Sequence, residues 1–237
     1  MRLQDFVTIV IPCKHEEKYI GHLLDSLSQQ VGIGNTRILV ADADSTDNTI
    51  STIKLYDDVL NIEVIEGGPV SVGRNNGAKL VTTPYILFLD ADVRLFHPST
   101  IYDAVNKMEA YNLDLLTANI KNYGEHLRAS FLFWKFNLVN KIMTKKTPFA
   151  IGAFFLTRRS KFEEFGGFPN KYETSEDYIL SKQYDPKKFM IIDHYFGQDE
   201  RRFTKLGYLG MVWYMTINFF NRNNLKHFEK AKVNYWD

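Results

Sequence analysis

One cysteine, Cys13, is all that this chain of 237 residues contains. A single thiol can neither close an internal disulfide nor supply the paired spacing of a zinc site, so a reducing, cytoplasmic setting is expected. Excess charge is missing too: 29 Lys and Arg stand against 28 Asp and Glu, a formal net of +1. Without a broad positive field, no nucleic-acid partner is expected. Met1-Arg2-Leu3-Gln4-Asp5 runs straight into a strand-like stretch, without the basic region, apolar core and cleavage site of a secretory signal. No apolar run reaches the ~20 residues that span a bilayer; the longest apolar-rich stretch is Tyr208 to Phe220. Internal repeats, low-complexity tracts and linker-like segments are also lacking, and nothing in the pattern fixes an oligomeric state.

What is present is a regular alternation. Val7 to Ile11 reads as a strand that Pro12 ends, followed by a helix from Glu16 through Leu27. Arg37 to Ala41, Ile62 to Ile65 and the wholly apolar Tyr85 to Leu89 read as further strands, separated by helices over Thr49 to Tyr56 and Ser71 to Leu80. Strands apolar throughout suit a sheet covered on both faces. The expected fold class is α/β, a Rossmann-like doubly wound central sheet, mostly parallel, in one domain. A less regular second half follows: a helix from Ser99 to Tyr111, strands near Leu113 to Ala118, Ala150 to Leu156 and Phe189 to Asp193, and a mixed continuation of the sheet.

In such sheets ligands bind beyond the carboxyl ends of the strands. After the first, second and fourth strands stand Lys14-His15-Glu16-Glu17, Asp42-Ala43-Asp44-Ser45-Thr46-Asp47 and Asp90-Ala91-Asp92. Carboxylates gathered there repel one another and lose hydration, so a cation or hydrogen-bond donors must compensate. Hard oxygen ligands suit Mg²⁺ or Mn²⁺, which take few protein carboxylates and complete their shell with substrate phosphates. A phosphorylated ligand is expected.

Taken in order, Val7 to Pro12 with Glu16-Glu17, Asp42 with Ser45 to Thr49, Arg74-Asn75-Asn76-Gly77-Ala78, Phe88 to Asp92, and Ser175-Glu176-Asp177 resemble the motifs of family-2 glycosyltransferases with the GT-A fold. The resemblance implies an inverting transfer from a nucleoside-diphosphate sugar to an acceptor hydroxyl, in polysaccharide or envelope glycan synthesis, with Mn²⁺ or Mg²⁺ as cofactor. UDP-sugars are favoured by family frequency, GDP-sugars next. Pro12, Lys14 and Glu16 match the loop against the nucleoside, although His15 replaces the usual asparagine. Asp42 and Asp44 match the loop that binds base or ribose. Arg74 and Asn75 match a segment beside the nucleotide. Asp92 matches the metal ligand, with Asp90 on ribose or a metal-bound water and Ala91 between them. Asp177, after Glu176, matches the catalytic base. His194 is a candidate third metal ligand. Gln198-Asp199-Glu200-Arg201-Arg202 matches only part of a processive motif, because Arg202 replaces tryptophan; Arg201 or Arg202 is a candidate for the diphosphate. On this reading residues 1–95 form a nucleotide-binding half, 96–204 an acceptor-binding half and 205–237 a C-terminal amphipathic segment.

Between Lys121 and Lys161 nine basic residues stand against one acid, Glu125. Leu127, Phe131, Trp134, Leu138 and Ile142 recur there at helical spacing. That pattern makes a peripheral contact with an anionic membrane, and a glycan or lipid-linked acceptor, candidates; the competing reading is a core-facing stripe. Two rival functions remain. A nucleotidyltransferase would show a glycine-rich phosphate loop where Pro12-Cys13-Lys14-His15 stands. A noncatalytic membrane- or nucleic-acid-binding module would have no need of Asp90, Asp92 and Asp177 together.

Overall fold

Three apolar runs and one amphipathic strand, Ile62–Glu66, lay down the first half of the sheet. In the computed structural model, which describes residues 1–124, 126–172, 174–199, 201 and 207–230, β1 (Val7–Cys13), β2 (Ile38–Asp42), β3 (Ile62–Glu66) and β4 (Tyr85–Leu89) lie parallel in the order β3-β2-β1-β4. Helices α1 (Ile20–Ser28), α2 (Thr49–Lys54) and α3 (Val70–Lys79) connect them. β4 shows why its sequence is apolar throughout. Tyr85, Leu87 and Leu89 enter a core cluster with α1 and α4 residues, whereas Ile86 and Phe88 enter a second one with Phe155, Phe162 and Phe168.

Two local expectations are corrected. Pro12 does not end β1: it pairs with Ala41, and the strand continues to Cys13. Ile9 N–H points to β2, donating to Arg37, so by alternation the Pro12 nitrogen faces β4, where pairing has already ended at Val10–Phe88. Nor does α1 begin at Glu16, whose N–H donates to the Thr49 hydroxyl at 2.8 Å in a turn that precedes the helix.

The second half brings β5 (Arg94–Leu95), α4 (Thr100–Ala110), β6 (Leu115–Asn122), α5 (Leu127–Met143), β7 (Phe154–Arg158), α6 (Arg159–Glu164), α7 (Glu176–Ser181), β8 (Phe189–Gln198), α8 (Tyr208–Phe220) and α9 (Leu225–Lys230). The sheet continues β4-β7-β6-β8-β5, with β7 antiparallel to β4 and β6, β8 parallel to β6, and β5 antiparallel to β8. This is one α/β sheet, mostly parallel at one end and mixed at the other. β8 outruns its expected end at Asp193, because after a bulge its pairing with β6 resumes at Asn119–Tyr195.

α5 settles the choice between core stripe and exposed stripe. Leu127, Phe131, Trp134, Leu138 and Ile142 all lie exposed, while Ala129 and Phe133 on the other side are buried. The basic cluster is smaller than its sequence count, since Arg158, Arg159 and Lys161 pair with Asp114, Glu163 and Glu164. No helix among the described residues is long and apolar enough to cross a membrane.

Candidate active site

The parallel strands deliver their exit loops to one edge of the sheet. The loop after β2 closes on itself: Asp42 accepts from the Ser45 N–H at 3.0 Å and from its hydroxyl at 2.6 Å. Ser45 in turn accepts from the His15 N–H at 2.9 Å, tying the first loop to the second. Asp47 accepts from Thr49 and Glu17 N–H groups, an ordinary capping role. Asp44 is exposed in a left-handed turn with φ 57°, and Lys14 lies half-buried just beyond β1. Gly67 is required beneath this loop, because a Cβ there would lie 2.5 Å from the Asp42 carbonyl carbon.

Helix α3 packs closely enough on the sheet to drive an arginine into the core. Gly77 rests on Val10, and Gly73 on Ala41 and Pro12. Arg74, fully buried, donates through Nη2 to Asp90 at 2.6 Å and through Nη1 to Glu176 at 2.7 Å. Its guanidinium also stacks 5.0 Å from the centroid of Phe168. A buried guanidinium needs such partners, since unpaired it would carry a large desolvation cost. Asn75, the next residue, clasps Phe168: its Nδ2 donates to the Phe168 carbonyl at 2.7 Å and its Oδ1 accepts from the Phe168 N–H at 3.0 Å.

Arg74 thereby joins the acidic loop after β4 to α7, where Asp177 follows Glu176. Asp177 accepts from the Gly152 N–H at 2.8 Å and from the Tyr178 N–H at 2.7 Å. Burial pushes its carboxyl above the ordinary aspartate value despite those bonds and the Arg74 charge. Glu176 is pushed up to about 7, first by burial and then by the charge of Asp177, with Arg74 opposing.

A second arginine serves the other side. Arg201 grips Glu16 with both terminal nitrogens, at 2.8 and 2.9 Å, and reaches Asp92 at 2.9 Å. Its guanidinium lies 4.6 Å from the ring centroid of Tyr19. Burial raises the Glu16 carboxyl above its usual value, Arg201 opposes this, and Asp92 and Asp90 reinforce it. Arg201 thus ties Glu16 to Asp92, and the charge of Asp90 also acts on Glu16. The Tyr123 hydroxyl donates to the Asp92 carbonyl at 3.0 Å, bringing the end of β6 to the same loop. Ala91 is buried between the two aspartates.

The structure thus brings together Glu16, Arg74, Asp90, Asp92, Glu176, Asp177 and Arg201. It takes His194 elsewhere. The His194 Nε2 lies 3.1 Å from Asp103 in the first turn of α4, and its ring is 5.0 Å from that of His97. The physical reason is the bulge in β8: Ile192 pairs with Ala118 and Tyr195 with Asn119, leaving Asp193 and His194 outside the regular ladder. Arg202 lies outside the described residues. Gly152, Phe168 and Tyr123 escaped sequence reasoning, for none stands in a motif; only folding brings them to the carboxylates.

Among the described residues, the one group of three or more His, Cys, Asp or Glu side chains whose ligand atoms all lie within 4.8 Å of one another is His97, Asp103 and His194. Asp90 and Asp92, each bonded to an arginine, are two hard carboxylates of the kind that, with substrate phosphates, suits a Mg²⁺ or Mn²⁺ ion. Asp90 and Asp92 are the residues that would hold it.

The fold and site define an α/β protein with an acidic crevice at the strand exits. A family model, Glycosyl transferase family 2, matches residues 8–166, and the chain belongs to that family. It is 30% identical over 120 residues to the poly(ribitol-phosphate) beta-N-acetylglucosaminyltransferase TarS of Staphylococcus aureus, covering 48% of this chain and 21% of TarS. It is 27% identical over 198 residues to the 4,4'-diaponeurosporenoate glycosyltransferase of Staphylococcus haemolyticus, covering 79% of this chain and 49% of that one. The chain therefore spans less than half the length of either relative. The crystal structure of TarS residues 1–349 with UDP-GlcNAc superposes with a TM-score of 0.64 at 22% identity, covering 82% of this chain and 58% of that one. The mannosyltransferase PcManGT of Pyrobaculum calidifontis, solved with GDP-Man and Mn²⁺, superposes with a TM-score of 0.65 at 19% identity, covering 81% and 56%. These neighbours share the GT-A fold.

Proposed function

We propose that the chain transfers a sugar from a nucleoside-diphosphate sugar to an acceptor hydroxyl, with inversion at the anomeric carbon. The observation that carries this reading is the Arg74 bridge: one buried guanidinium holds Asp90 on the donor side and Glu176, beside Asp177, on the acceptor side. Donor and acceptor machinery are thus set in one rigid frame, as positioning of two reactants requires.

Asp177 takes the hydroxyl proton as the acceptor oxygen attacks. Its raised pKa suits that task near neutral pH, and the Gly152 and Tyr178 N–H groups orient its carboxylate. Asp92 and Asp90 would hold Mn²⁺ or Mg²⁺, which when bound would offset the charge developing on the departing diphosphate. Pro12, Lys14, Glu16, Asp42 and Asp44 border the nucleoside. A UDP-sugar is the favoured donor, supported by the neighbour solved with UDP-GlcNAc; a GDP-sugar is next, supported by the one solved with GDP-Man. Sugar-nucleotide hydrolysis that depends on Mn²⁺ and vanishes in Asp92→Ala tests the assignment. Hydrolysis indifferent to both would defeat it.

The acceptor is a cell-envelope glycan or a lipid-linked one, met by a cytoplasmic enzyme at the inner membrane face. The exposed stripe on α5 supports this, together with Leu209, Trp213 and Phe220 exposed on α8 and Arg128, Lys135, Lys141, Lys145 and Lys146 nearby in sequence. Apolar and aromatic side chains with flanking cations are what an anionic bilayer surface binds. Flotation with anionic liposomes at low salt is expected; a protein that stays at the bottom of the gradient refutes the membrane contact.

A further inference from the structure

A cavity of about 500 Å³ opens between α5, α8 and the segment that carries Asp177. Its size falls within the roughly 300–1,000 Å³ of small-molecule sites. Leu132, Phe136 and Val139 of α5 face Val212 and Phe219 of α8 across it, with Phe149 below. Ser175 and Tyr178, the residues flanking Glu176 and Asp177, form part of its wall, and Tyr178 packs edge-on against Phe149 with centroids 5.5 Å apart. The charged side chains among the described lining residues are Lys135 and Arg222, both cationic. Arg222 is fixed there by stacking at 4.5 Å on Phe219. α5 also carries the exposed face of Phe131, Trp134 and Leu138, so cavity and stripe belong to one helix.

We propose that this cavity holds the hydrocarbon chain of the acceptor, an anionic membrane lipid whose charged group meets Lys135 and Arg222. The assignment rests on the glycosyltransferase reading for its meaning, because the cavity wall includes the segment that bears the base. An apolar lining excludes a free sugar or a soluble glycan, whose hydroxyls would lose their water partners there. It accepts methylene groups, and the two cations of its wall select a lipid that carries a phosphate or carboxylate. The exposed α5 and α8 side chains then place the mouth at the bilayer, so the lipid need not pass through water.

The test uses the full chain and n-alkyl phosphates of about six to about twelve carbons, kept below their micelle concentrations, with tryptophan fluorescence as the readout. Each buried methylene is expected to tighten binding roughly fourfold, until the cavity is full and the affinity levels off. Val139→Trp and Val212→Trp, each filling part of the cavity, are expected to shorten the chain length at which levelling occurs. Unchanged thermal unfolding of either variant shows that its fold is intact. Affinity independent of chain length overturns the proposal, as do two folded tryptophan variants that bind like the native chain. Binding to anionic vesicles with no binding of monomeric alkyl phosphate overturns it too, leaving surface contact alone. If the native chain fails to hydrolyse any sugar nucleotide yet shows the chain-length series, the glycosyltransferase reading falls and the lipid cavity stands.

Discussion

Arg201 donates to Asp92 at 2.9 Å while its other bonds hold Glu16. The carboxylates are nearly buried, with side-chain exposures of 3% and 8%, whereas Arg201 is 35% exposed. Part of the positive charge that these carboxylates require is therefore supplied by a side chain that borders solvent. On the proposed function, a divalent ion at Asp92 would compete with Arg201.

Arg201→Ala is expected to cost about 1–2 kcal/mol, a figure lowered for solvent screening of the exposed arginine. That corresponds to roughly 2–8 °C in Tm for a chain of this size. Mn²⁺ is expected to raise the Tm of Arg201→Ala more than that of the native chain, because the ion then binds without displacing a guanidinium. Equal shifts in a differential scanning measurement would show that Asp92 does not exchange one cation for the other.

Gly152→Ala targets the other arginine. A Cβ at Gly152 would lie 2.7 Å from Arg74 Nη2, the atom that holds Asp90. The guanidinium must shift, and a buried overpacking of this kind costs about 1–3 kcal/mol. Denaturant unfolding should show that loss together with weaker UDP binding; a variant with native stability would mean that the Arg74 bridge is not held in place by the absence of a side chain at 152.

Much of this was legible in the chain and some was not. β1, β2 and β4 announce themselves as short apolar runs and β3 as the β-branched stretch that Gly67-Gly68 follows, and their parallel order follows from the helices between them. β5 does not, since Arg94–Leu95 is a strand only by pairing with Gly197–Phe196. Asp90, Asp92, Glu176 and Asp177 stand in motifs, and their convergence could be expected. Gly152 could not, for its role is to be small beside Arg74. The α5 stripe was ambiguous because period 3.6 reports a face and not what the face meets; burial of Ala129 and Phe133 on the opposite side decided it. His194 illustrates the limit most plainly: strand alternation cannot anticipate a bulge, and the bulge gives it to Asp103.

His194→Ala follows from that placement. With its imidazole grouped with Asp103 and His97, the residue is expected to take no part in holding an ion at Asp90 and Asp92. The Mn²⁺ concentration for half-maximal sugar-nucleotide hydrolysis should match that of the native chain. A shift of tenfold or more, about the cost of losing a metal-site contact, would restore His194 to the donor site.

On the proposed mechanism, Asp177→Asn removes the proton acceptor and keeps the shape. General-base catalysis contributes about 100- to 10,000-fold, so transfer to acceptor should fall by that much while UDP affinity changes little. In the native chain the acid limb of the rate profile should lie above the ordinary aspartate value, because burial raises the Asp177 carboxyl and the base works only when ionised. Steady-state kinetics of the variant at native levels would move the base to another residue.

Glu176 gives the fold a pH dependence of definite sign. Its carboxyl ordinarily titrates near 4.5 and in the folded chain at about 7, so between those values the folded state keeps a proton that the unfolded chain has released. By linkage, raising the pH through this window removes stability, and the loss is complete above about 7. Glu176→Gln cannot ionise and lacks the penalty, although it shifts the pairing of Arg74 by an amount that does not vary across the window. The urea midpoint of the variant relative to the native chain should therefore rise between about pH 5 and about pH 7.5. A difference that is flat over that range would mean that Glu176 is ionised throughout, with Arg74 outweighing burial.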